Sequence, residues 1–282
     1  MLNVTPTGAR LGAFIEDIDI AAPPVDDLAN ALFEHGVLIF RGRPISAADL
    51  VSLGRAFGEL EVLPEPEKRH PDHPEIFNLS NVRPDGEIVT YDEPQSVFLR
   101  GTQRWHTDSS FREVPALCTM LYGVEIPQRG GQTQFADMRA ALQMLRPEDR
   151  AEIAELRVVH SYEWTRSKNP GYMEPMTDEE RAKYRPVEHP WIRTHDDGTQ
   201  SLYMGGHAQH IVGRDEAESQ QWFGEIEAQL SLLDLVYEHQ WQTDDLVVWD
   251  NRTTLHRALP YDIANERRVM RRVTVAGAQP VQ

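Results

Sequence analysis

Apolar residues in this chain are grouped in short runs that polar turns separate, with a few longer amphipathic stretches between them. The apolar periodicity of residues 25–35 predicts a helix, and the segment GVLIFRG at 36–42 predicts a strand directly after it. Ser46 is a suitable N-cap for a second helix, and MRAALQMLRPEDRAEIAEL predicts a pair of helices broken at Pro147. A further amphipathic helix is predicted over 215–233.

Most of the remaining apolar runs have the length and composition of strands. They are CTMLYGVEI, TQFADM, DLVVWDN, TTLHRAL and RRVMRRVTVAG. Many short strands, with helices near the front of the chain, predict a mainly β fold with flanking helices, either a β-sandwich or a jelly roll. No internal repeat or low-complexity tract divides the sequence, so we expect a single domain over residues 1–282.

Two long polar segments interrupt this pattern. Residues 63–100 are rich in proline, acidic residues and histidine, as in LPEPEKRHPDHPE, and residues 162–190 are again polar. Loops of this length inside a compact domain are usually functional or partly disordered. Both segments are therefore predicted to be irregular lids over a binding site.

The charge balance restricts the kind of partner that the protein binds. The 282 residues include 45 acidic and 28 basic side chains, which gives a formal net charge of −17. Such a chain lacks the basic surface that nucleic acids and anionic membranes require, so neither is expected as a partner. A small anionic ligand must therefore be held by a few locally placed cations.

Cysteine content and the first residues bear on the compartment. With Cys118 as the only cysteine, neither an intramolecular disulfide nor a cysteine-based metal site is expected. The sequence starts without a basic stretch followed by an apolar run, and no segment is long and apolar enough to span a bilayer. We therefore expect a soluble, cytoplasmic protein.

His106 and Asp108, in RWHTDSSF, are the first candidates for a chemical site. Side chains two apart on an extended strand point to the same face, so this imidazole and carboxylate can converge on one metal ion. His256, in WDNRTTLHRALPYD, follows a strand and a turn and is the candidate third ligand. Two histidines and one carboxylate on one face of a metal are typical of non-haem Fe(II) oxygenases. Taken alone, the HxD motif favours a surface hydrogen-bonded pair, and His256 favours a structural histidine.

The last strand carries paired arginines. In RRVMRRVTVAG, strand alternation places Arg268 and Arg272 on one face, about 13 Å apart at roughly 3.3 Å per residue. Their guanidinium groups could hold the carboxylates of two different small ligands, or could pair with acidic residues on the wall of the fold. Thr133 ends the GGQT turn, where its hydroxyl could help an arginine to bind a carboxylate or could satisfy local backbone groups.

Four motifs, WHTD, GGQT, WDNRTTLH and RRVMRR, together and in this order resemble the taurine/2,4-dichlorophenoxyacetate dioxygenase family. The resemblance extends from the opening TPTGARLGAFIEDIDI to the last strand. It implies a double-stranded β-helix (jelly-roll) core, with His106, Asp108 and His256 as the ligands of Fe(II). By the same match, Thr133 and Arg268 would bind the distal carboxylate of the co-substrate 2-oxoglutarate.

The resemblance also implies the reaction. Enzymes of this family depend on Fe(II), 2-oxoglutarate and O2, release succinate and CO2, and oxidise a C–H bond of a second substrate. Related halogenases have a small residue where this chain has Asp108, so the carboxylate implies hydroxylation. Hydroxylation next to an ether oxygen gives a hemiacetal, whose collapse cleaves the ether.

Within the family, the chain looks closer to the aryloxyalkanoate branch than to the taurine enzymes. The similarity lies in SNVRPDG, WHTDSSF, FADMRAA, RTHDDGTQSLYMGGHAQHIVG and LHRALPYDI. The chain departs from the family pattern in two places. The segments 63–100 and 162–190 match poorly, and the spacing from His256 to Arg268 is twelve residues, one more than is usual. A sulfonate or another small organic acid therefore stays open as the substrate.

Four residues are candidates for substrate binding. Arg272 would bind the anion of the substrate, by its family position and the face that it shares with Arg268, unless it is a structural ion-pair partner. His207 and His210, in GGHAQH, are candidates for lining the pocket, although a surface loop fits them equally well. Asn81, in SNV, could donate a hydrogen bond to substrate or co-substrate.

Two other classes of protein fit part of this pattern. A zinc hydrolase could use the same three ligands with a bound water, but it needs no second carboxylate-binding set such as the arginines and Thr133. A non-catalytic small-acid binder would not need all three candidate ligands. Family members are often dimers or tetramers, so a homo-oligomer stays open, although no part of the sequence indicates an interface.

Overall fold

The computed structural model describes residues 2–63, 65–169, 171, 174–232 and 234–282. Its helices are α1 (Val25–His35), α2 (Ala47–Phe57), α3 (Pro94–Gly101), α4 (Met138–Met144), α5 (Pro147–Ile153), α6 (Tyr162–Lys168), α7 (Asp178–Lys183) and α8 (Glu216–Leu232). Its strands are β1 (Asn3–Pro6), β2 (Ala13–Glu16), β3 (Val37–Phe40), β4 (Phe77–Ser80), β5 (Ala116–Glu125), β6 (Thr133–Asp137), β7 (Arg157–His160), β8 (Val187–Pro190), β9 (Ile192–Thr194), β10 (Gln200–Leu202), β11 (Ala208–Ile211), β12 (Val236–His239), β13 (Leu246–Asp250), β14 (Thr254–Ala258) and β15 (Val269–Ala276). A short 3-10 turn lies at Pro66–Lys68.

The largest sheet has seven strands, in the order β1-β2-β3-β13-β5-β15-β4. Neighbouring strands are antiparallel, except that β2 and β3 are parallel. Helices α1 and α2 cover one face of this sheet through a cluster that includes Leu28, Leu32, Leu50 and Met120. Because the sheet is covered on both faces, β3 (VLIF) and β13 (LVVWD) are buried along their whole length.

The sheet β12-β6-β14 lies against the other face of the largest sheet, whereas the remaining strands pack in a separate apolar cluster with α4 and α8. β12-β6-β14 and β11-β7-β8 have three strands each, and β9 and β10 form a hairpin. Phe135 of β6 packs against Trp249 of β13 with ring centroids 5.5 Å apart, within an apolar layer between the sheets. The predicted sheet-rich chain with flanking helices is confirmed. Helices nevertheless contribute about as many described residues as strands do, because the two polar segments contain helices.

Predicted helices agree with the structure where local signals are strong. α1 has the predicted bounds, and α8 spans Glu216–Leu232 within its predicted range. The amide of Asp49 donates to Ser46 Oγ and the amide of Ser46 donates to the Asp49 carboxylate, which forms a capping box at the start of α2. Pro147 starts α5 as a separate helix, as predicted. None of the helices in the described part has both the length and the apolar character needed to cross a membrane.

The two polar segments are more regular than the sequence predicts. Residues 63–100 contain the 3-10 turn, β4 and α3, and residues 162–190 contain α6, α7 and β8. β4 is ordered because it pairs with β15 at the edge of the largest sheet. The expectation of irregular structure is therefore wrong for these parts. The residues of the two segments that lie outside the described part are Pro64, Pro170, Tyr172 and Met173.

Three buried histidines, His160, His189 and His195, are neutral in the folded protein. His160 Nδ1 lies 3.0 Å from Ser110 Oγ, and His189 Nε2 donates to the carbonyls of Ser110 and Arg112 at 2.9 and 3.1 Å. These bonds anchor the chain after the WHTD motif to β7 and β8. Burial lowers the pKa of all three histidines, to about 4 for His189 and His195.

We expect acid to destabilise the metal-free protein through these histidines. In the unfolded chain they take up protons near pH 6.5, whereas in the folded chain they stay neutral to lower pH. Stability is therefore present above about pH 6.5 and is lost as the pH falls towards 4, by about 1.4 kcal/mol per pH unit for each histidine. Glu61 and Glu227, whose pKa burial raises, act in the opposite direction, but the buried histidines outnumber them.

Urea unfolding of the metal-free protein at several pH values between about 7.5 and 5 measures this dependence. His195→Gln removes one of the buried histidines whose pKa is lowered, so we expect it to reduce the slope of unfolding free energy against pH by about one proton. An unfolding free energy that stays constant from pH 6.5 to pH 5 would contradict the prediction.

Candidate active site

Two backbone hydrogen bonds hold His106 beside β14. The His106 amide donates to the His256 carbonyl at 3.0 Å, and the His256 amide donates to the His106 carbonyl at 2.8 Å. The two imidazoles are therefore neighbours, with ring centroids 4.0 Å apart. Ligand atoms of His106, Asp108 and His256 all lie within 4.8 Å of one another, and Asp108 Oδ2 is 3.7 Å from His256 Nε2.

Asp108 reaches this point from a turn and not from a strand. The chain forms an isolated bridge at His106 and then turns, and Ser109 has a φ of 56°. A positive φ is uncommon for a residue with a side chain, and this one is held because Ser109 Oγ donates to the buried Glu61 carboxylate at 2.6 Å. The expectation of an extended HxD strand is therefore wrong, although the predicted convergence of the two side chains is present.

The protonation states of the three groups suit a divalent metal. His106 Nδ1 donates to the Arg104 carbonyl at 2.8 Å, which leaves the lone pair of Nε2 free. Burial lowers the pKa of His106 and His256, so both are neutral. Burial alone would raise the pKa of Asp108, but the Arg272 guanidinium and the hydrogen bond from Thr119 hold that pKa below its usual range. Two neutral imidazoles and a carboxylate fit Fe(II) in a non-haem site.

Arg272, on β15, borders the same point. Its Nη1 lies 3.1 Å from Asp108 Oδ1, and its guanidinium carbon is 5.0 Å from the ring centroid of Phe77. Of the two roles considered from the sequence, the ion pair is present. Its acidic partner, however, is itself a candidate metal ligand, so the pair belongs to the site and not to the outer wall of the fold.

Arg268 is a buried cation of a different kind. Among the described residues no acidic side chain lies within 4.0 Å of it, its Nε has no hydrogen-bond partner, and burial lowers its pKa. The GGQT turn packs against it, since a Cβ on Gly131 would lie 3.4 Å from Arg268 Nε. Trp241 Nε1 donates to Thr133 Oγ1 at 3.0 Å, which leaves the threonine's own proton for another acceptor. Because a buried cation without a counter-charge is costly, Arg268 indicates a position for a bound anion.

A cavity of about 340 Å³ opens beside the three candidate ligands. His106, Asp108 and Arg272 form part of its lining, and segments 63–100 and 162–190 both supply walls. The aromatic and aliphatic residues of the lining are Leu63, Phe77, Val97, Phe98, Phe111 and Tyr162. Arg272 and Asp108 are not the only charged groups of this lining, which also includes Glu65, Arg100, Arg104, Arg166 and Lys168. The cavity therefore combines an apolar, aromatic part with several cationic side chains.

The structure separates the two candidate histidines of GGHAQH. His207 lines the cavity, with its ring centroid 4.9 Å from that of Phe111 and its Nδ1 2.8 Å from Thr165 Oγ1. His210 lies on β11 and is not part of the cavity lining. Of the two histidines that were predicted to line the pocket, His210 does not line it, whereas His207 does, and its contact with substrate stays a prediction.

Asn81 is buried away from the cavity. Its Nδ2 donates to the carbonyls of Ile263 and Glu266 at 2.8 and 2.7 Å, and its Oδ1 accepts the amide of Arg268 at 2.7 Å. Both amide protons are used by backbone carbonyls, so the prediction that Asn81 donates to substrate or co-substrate is wrong. Its side chain instead fixes the backbone from which Arg268 projects.

Two residues that the sequence analysis did not single out contact the candidate ligands. Thr119 Oγ1 donates to Asp108 Oδ2 at 2.7 Å, and Asn251 Nδ2 donates to Thr119 Oγ1 at 2.9 Å. The sequence could have indicated a role for Asn251, because this residue lies inside the WDNRTTLH motif. The sequence gives no such indication for Thr119, since a threonine in a buried strand is ordinary.

Comparison with known proteins shows to which family this chain belongs. The family model described as "Taurine catabolism dioxygenase TauD, TfdA family" matches residues 3–274 of this chain. The chain belongs to the TauD/TfdA family. The resemblance inferred from the four motifs is therefore confirmed.

Relatives of this TauD/TfdA chain share its full length. The alpha-ketoglutarate-dependent 2,4-dichlorophenoxyacetate dioxygenase of Cupriavidus pinatubonensis is 34% identical over 97% of both sequences. An alpha-ketoglutarate-dependent sulfate ester dioxygenase of Pseudomonas putida is 32% identical, over 99% of this chain and 91% of its own. Among solved structures, AAD-2 in complex with Mn(II) and N-oxalylglycine has a TM-score of 0.88 and 32% identity, over 99% of this chain and 100% of that chain.

As a TauD/TfdA member, this chain is a 2-oxoglutarate-dependent non-haem iron dioxygenase that uses Fe(II), 2-oxoglutarate and O2. The donor set built by His106, Asp108 and His256 agrees with that chemistry. The zinc hydrolase and the non-catalytic binder considered from the sequence are set aside by this membership.

Proposed function

We propose that this dioxygenase hydroxylates an aryloxyalkanoate at the carbon beside the ether oxygen, so that the hemiacetal collapses and the ether is cleaved. The cavity carries this proposal. Its walls include Phe77, Phe98, Phe111 and Tyr162, and Arg272 lies at the end that holds the candidate ligands. An aryl ring on a short carboxylate-bearing arm matches both features, because the ring suits an apolar wall and the carboxylate suits a guanidinium fork.

The proposal includes the scaffold. The strands would form a double-stranded β-helix, or jelly roll, in one domain over residues 1–282. The packing of the sheet β12-β6-β14 against the largest sheet supports this assignment. Segments 63–100 and 162–190 would act as lids over the substrate, which the cavity walls from both segments support.

In this proposal His106, Asp108 and His256 would hold Fe(II) with two neutral imidazoles and one carboxylate. Bound Fe(II), with 2-oxoglutarate and O2, supplies the oxidant that hydroxylates the C–H bond and releases succinate and CO2. Arg268 binds the distal carboxylate of 2-oxoglutarate, since its charge is buried and no acidic side chain of the described residues pairs with it. Thr133 adds a hydroxyl donor, whose orientation Trp241 fixes.

The remaining side chains position the substrate. Arg272 binds the carboxylate of the substrate next to Asp108. The aryl ring of the substrate lies between the aromatic walls and excludes water from the reacting carbon. Burial lowers the pKa of His207 to about 3, so its imidazole stays neutral and adds no charge to the cavity. A neutral imidazole at this place can form a hydrogen bond with the substrate without competing with Arg272 for the carboxylate of the substrate.

A sulfate ester is the second candidate substrate. The same guanidinium suits a sulfate monoanion, and the Pseudomonas putida relative is a sulfate ester dioxygenase. An alkyl chain would fill the apolar cavity but would gain nothing from aromatic side chains beyond burial. The two candidates therefore differ in how strongly they depend on the aromatic walls.

A succinate assay on the Fe(II)-loaded protein distinguishes the two candidates. With 2-oxoglutarate and O2, phenoxyacetate and its chlorinated relatives should give succinate, CO2, glyoxylate and a phenol, with a higher kcat/KM than alkyl sulfates or taurine. Turnover of alkyl sulfates in preference to every aryloxyalkanoate would overturn the proposed substrate class while leaving the dioxygenase chemistry in place.

Phe98→Leu tests the aromatic wall, because leucine keeps an apolar side chain but removes the ring. We expect kcat/KM for phenoxyacetate to fall about 3- to 10-fold, with little change for an alkyl sulfate. Phe57→Leu is the matched control, since Phe57 is a half-buried phenylalanine that does not line this cavity. Equal losses in both variants would show that the ring of Phe98 has no specific part in substrate binding.

A further inference from the structure

A chain of hydrogen bonds runs through the core to the carboxylate of Asp108. Trp249 Nε1 donates to Asn251 Oδ1 at 3.0 Å, Asn251 Nδ2 donates to Thr119 Oγ1 at 2.9 Å, and Thr119 Oγ1 donates to Asp108 Oδ2 at 2.7 Å. All four residues are buried. In its low-dielectric surroundings each bond is strong, and each unmade bond would be costly.

The chemistry of the side chains fixes which atom donates and which accepts in each of these hydrogen bonds. An indole N–H can only donate, so the Asn251 atom that faces Trp249 must be the oxygen. The amide nitrogen then faces Thr119 and donates to its hydroxyl. Thr119 has a single proton, and with Asn251 as a donor that proton is free to point at Asp108 Oδ2. The carboxylate thus receives a donor whose orientation is determined three side chains away.

The two ends of this series of hydrogen bonds lie on different kinds of backbone. Thr119 lies on β5 and Trp249 on β13, where these residues face each other in the register of the largest sheet. Asp108 lies on a turn, next to the positive φ of Ser109. Arg272 holds the other carboxylate oxygen, Oδ1, at 3.1 Å. Without Thr119, Oδ2 would lose the one hydrogen bond that it receives from the described residues. The carboxylate would then be oriented by Arg272 and by the backbone of Asp108, whose amide donates to Asn251 Oδ1 at 3.3 Å.

We propose that Thr119 and Asn251 are positioning residues that hold Asp108 Oδ2 at its place beside His256, and that they thereby set the affinity of the site for a divalent metal. Oδ2 is the oxygen that lies 3.7 Å from His256 Nε2, and it keeps a second lone pair for a metal ion. The proposal rests on the proposed role of Asp108 and His256 as ligands. Outer partners of this kind orient ligands in metal sites generally.

Thr119→Val, Thr119→Ser and Thr274→Val form a matched set for the test. Valine keeps the branched shape of Thr119 but removes its hydroxyl, and serine keeps the hydroxyl. Thr274 is directly opposite Thr119 on β15, is equally buried, and its Oγ1 has no hydrogen-bond partner among the described residues. Thr274→Val therefore removes a hydroxyl from the same region of the sheet without touching the chain of bonds.

The measurement is calorimetric titration of the metal-free, full-length protein with Mn(II), with circular dichroism to confirm that each variant is folded. We expect Thr119→Val to weaken Mn(II) binding about 10- to 100-fold, and Thr119→Ser and Thr274→Val to bind as the wild type does. Wild-type affinity in Thr119→Val would overturn the proposal. Equal losses in Thr119→Val and Thr274→Val would also overturn it, because the loss would then come from the sheet.

His106→Ala separates this proposal from the one on which it rests. If His106→Ala loses Mn(II) while Thr119→Val keeps it, the ligand assignment stands and the positioning role falls. If His106→Ala binds Mn(II) as tightly as the wild type, the metal site itself is wrong, and the positioning role falls with it.

Discussion

Replacing His106 or Asp108 with alanine should abolish metal binding and turnover. Ligand atoms of His106, Asp108 and His256 lie within 4.8 Å of one another, and removal of one leaves two ligands for the metal. We expect the affinity for Mn(II) or Fe(II) to fall by more than about 100-fold, beyond the loss that outer partners usually cause. Succinate formation should fall to background. Titration of the metal-free protein and a succinate assay measure the two effects.

His210→Ala is the control for these variants. His210 comes from the same histidine-rich stretch as His207 but does not line the cavity, so its loss should leave metal affinity and turnover unchanged. Full iron affinity in either His106→Ala or Asp108→Ala would refute the ligand assignment. A comparable loss in His210→Ala would mean that removal of a histidine acts through the fold and not through the metal.

Replacing Arg268 with alanine should weaken the binding of the co-substrate 2-oxoglutarate. The guanidinium is buried without an acidic partner in the described part of the chain, so an anion that binds there gains several charged hydrogen bonds. At roughly 1.5–3 kcal/mol for such bonds, we expect the KM for 2-oxoglutarate to rise about 10- to 100-fold or more, with a much smaller change for the substrate. The metal-free variant should be as stable as the wild type, because an unpaired buried charge is removed.

Arg272→Ala should show the reverse, with a large rise in the KM of the substrate and a small one for 2-oxoglutarate. Arg271→Ala is a control on the same strand, since alternation directs its side chain to the opposite face of β15 from Arg272. Steady-state kinetics with each ligand varied in turn gives both constants. Equal effects of the Arg268 and Arg272 variants on both ligands would show that their roles are not divided in this way.

Several features follow from short-range information and are predictable from the sequence. The capping box of Ser46 and Asp49 and the break at Pro147 depend on residues within one helical turn. The four motifs and their order identify the family, and they include the three candidate ligands. The face that Arg268 and Arg272 share stays a prediction, because β15 begins at Val269, after Arg268, and its pairing with β5 shifts register between Val269 and Met270.

Other features depend on partners that are distant in the sequence. The convergence of His106 and Asp108 was expected from a strand, but it results from a bridge to His256 and a turn at Ser109. The helices of the two polar segments were missed, because their order depends on packing and on the pairing of β4 with β15. The roles in substrate binding, and the lids, stay proposals.

By itself, the sequence determined the family, the three candidate metal ligands and the helices with strong local signals. Only the tertiary structure decided that Asn81 serves the backbone, that His210 lies outside the cavity, and that Thr119 supports Asp108. The physical reason is the range of the interactions. Periodicity and capping report which face of its own element a residue occupies, whereas a hydrogen-bond partner 132 residues away, as for Asn251 and Thr119, is chosen when the sheets pack.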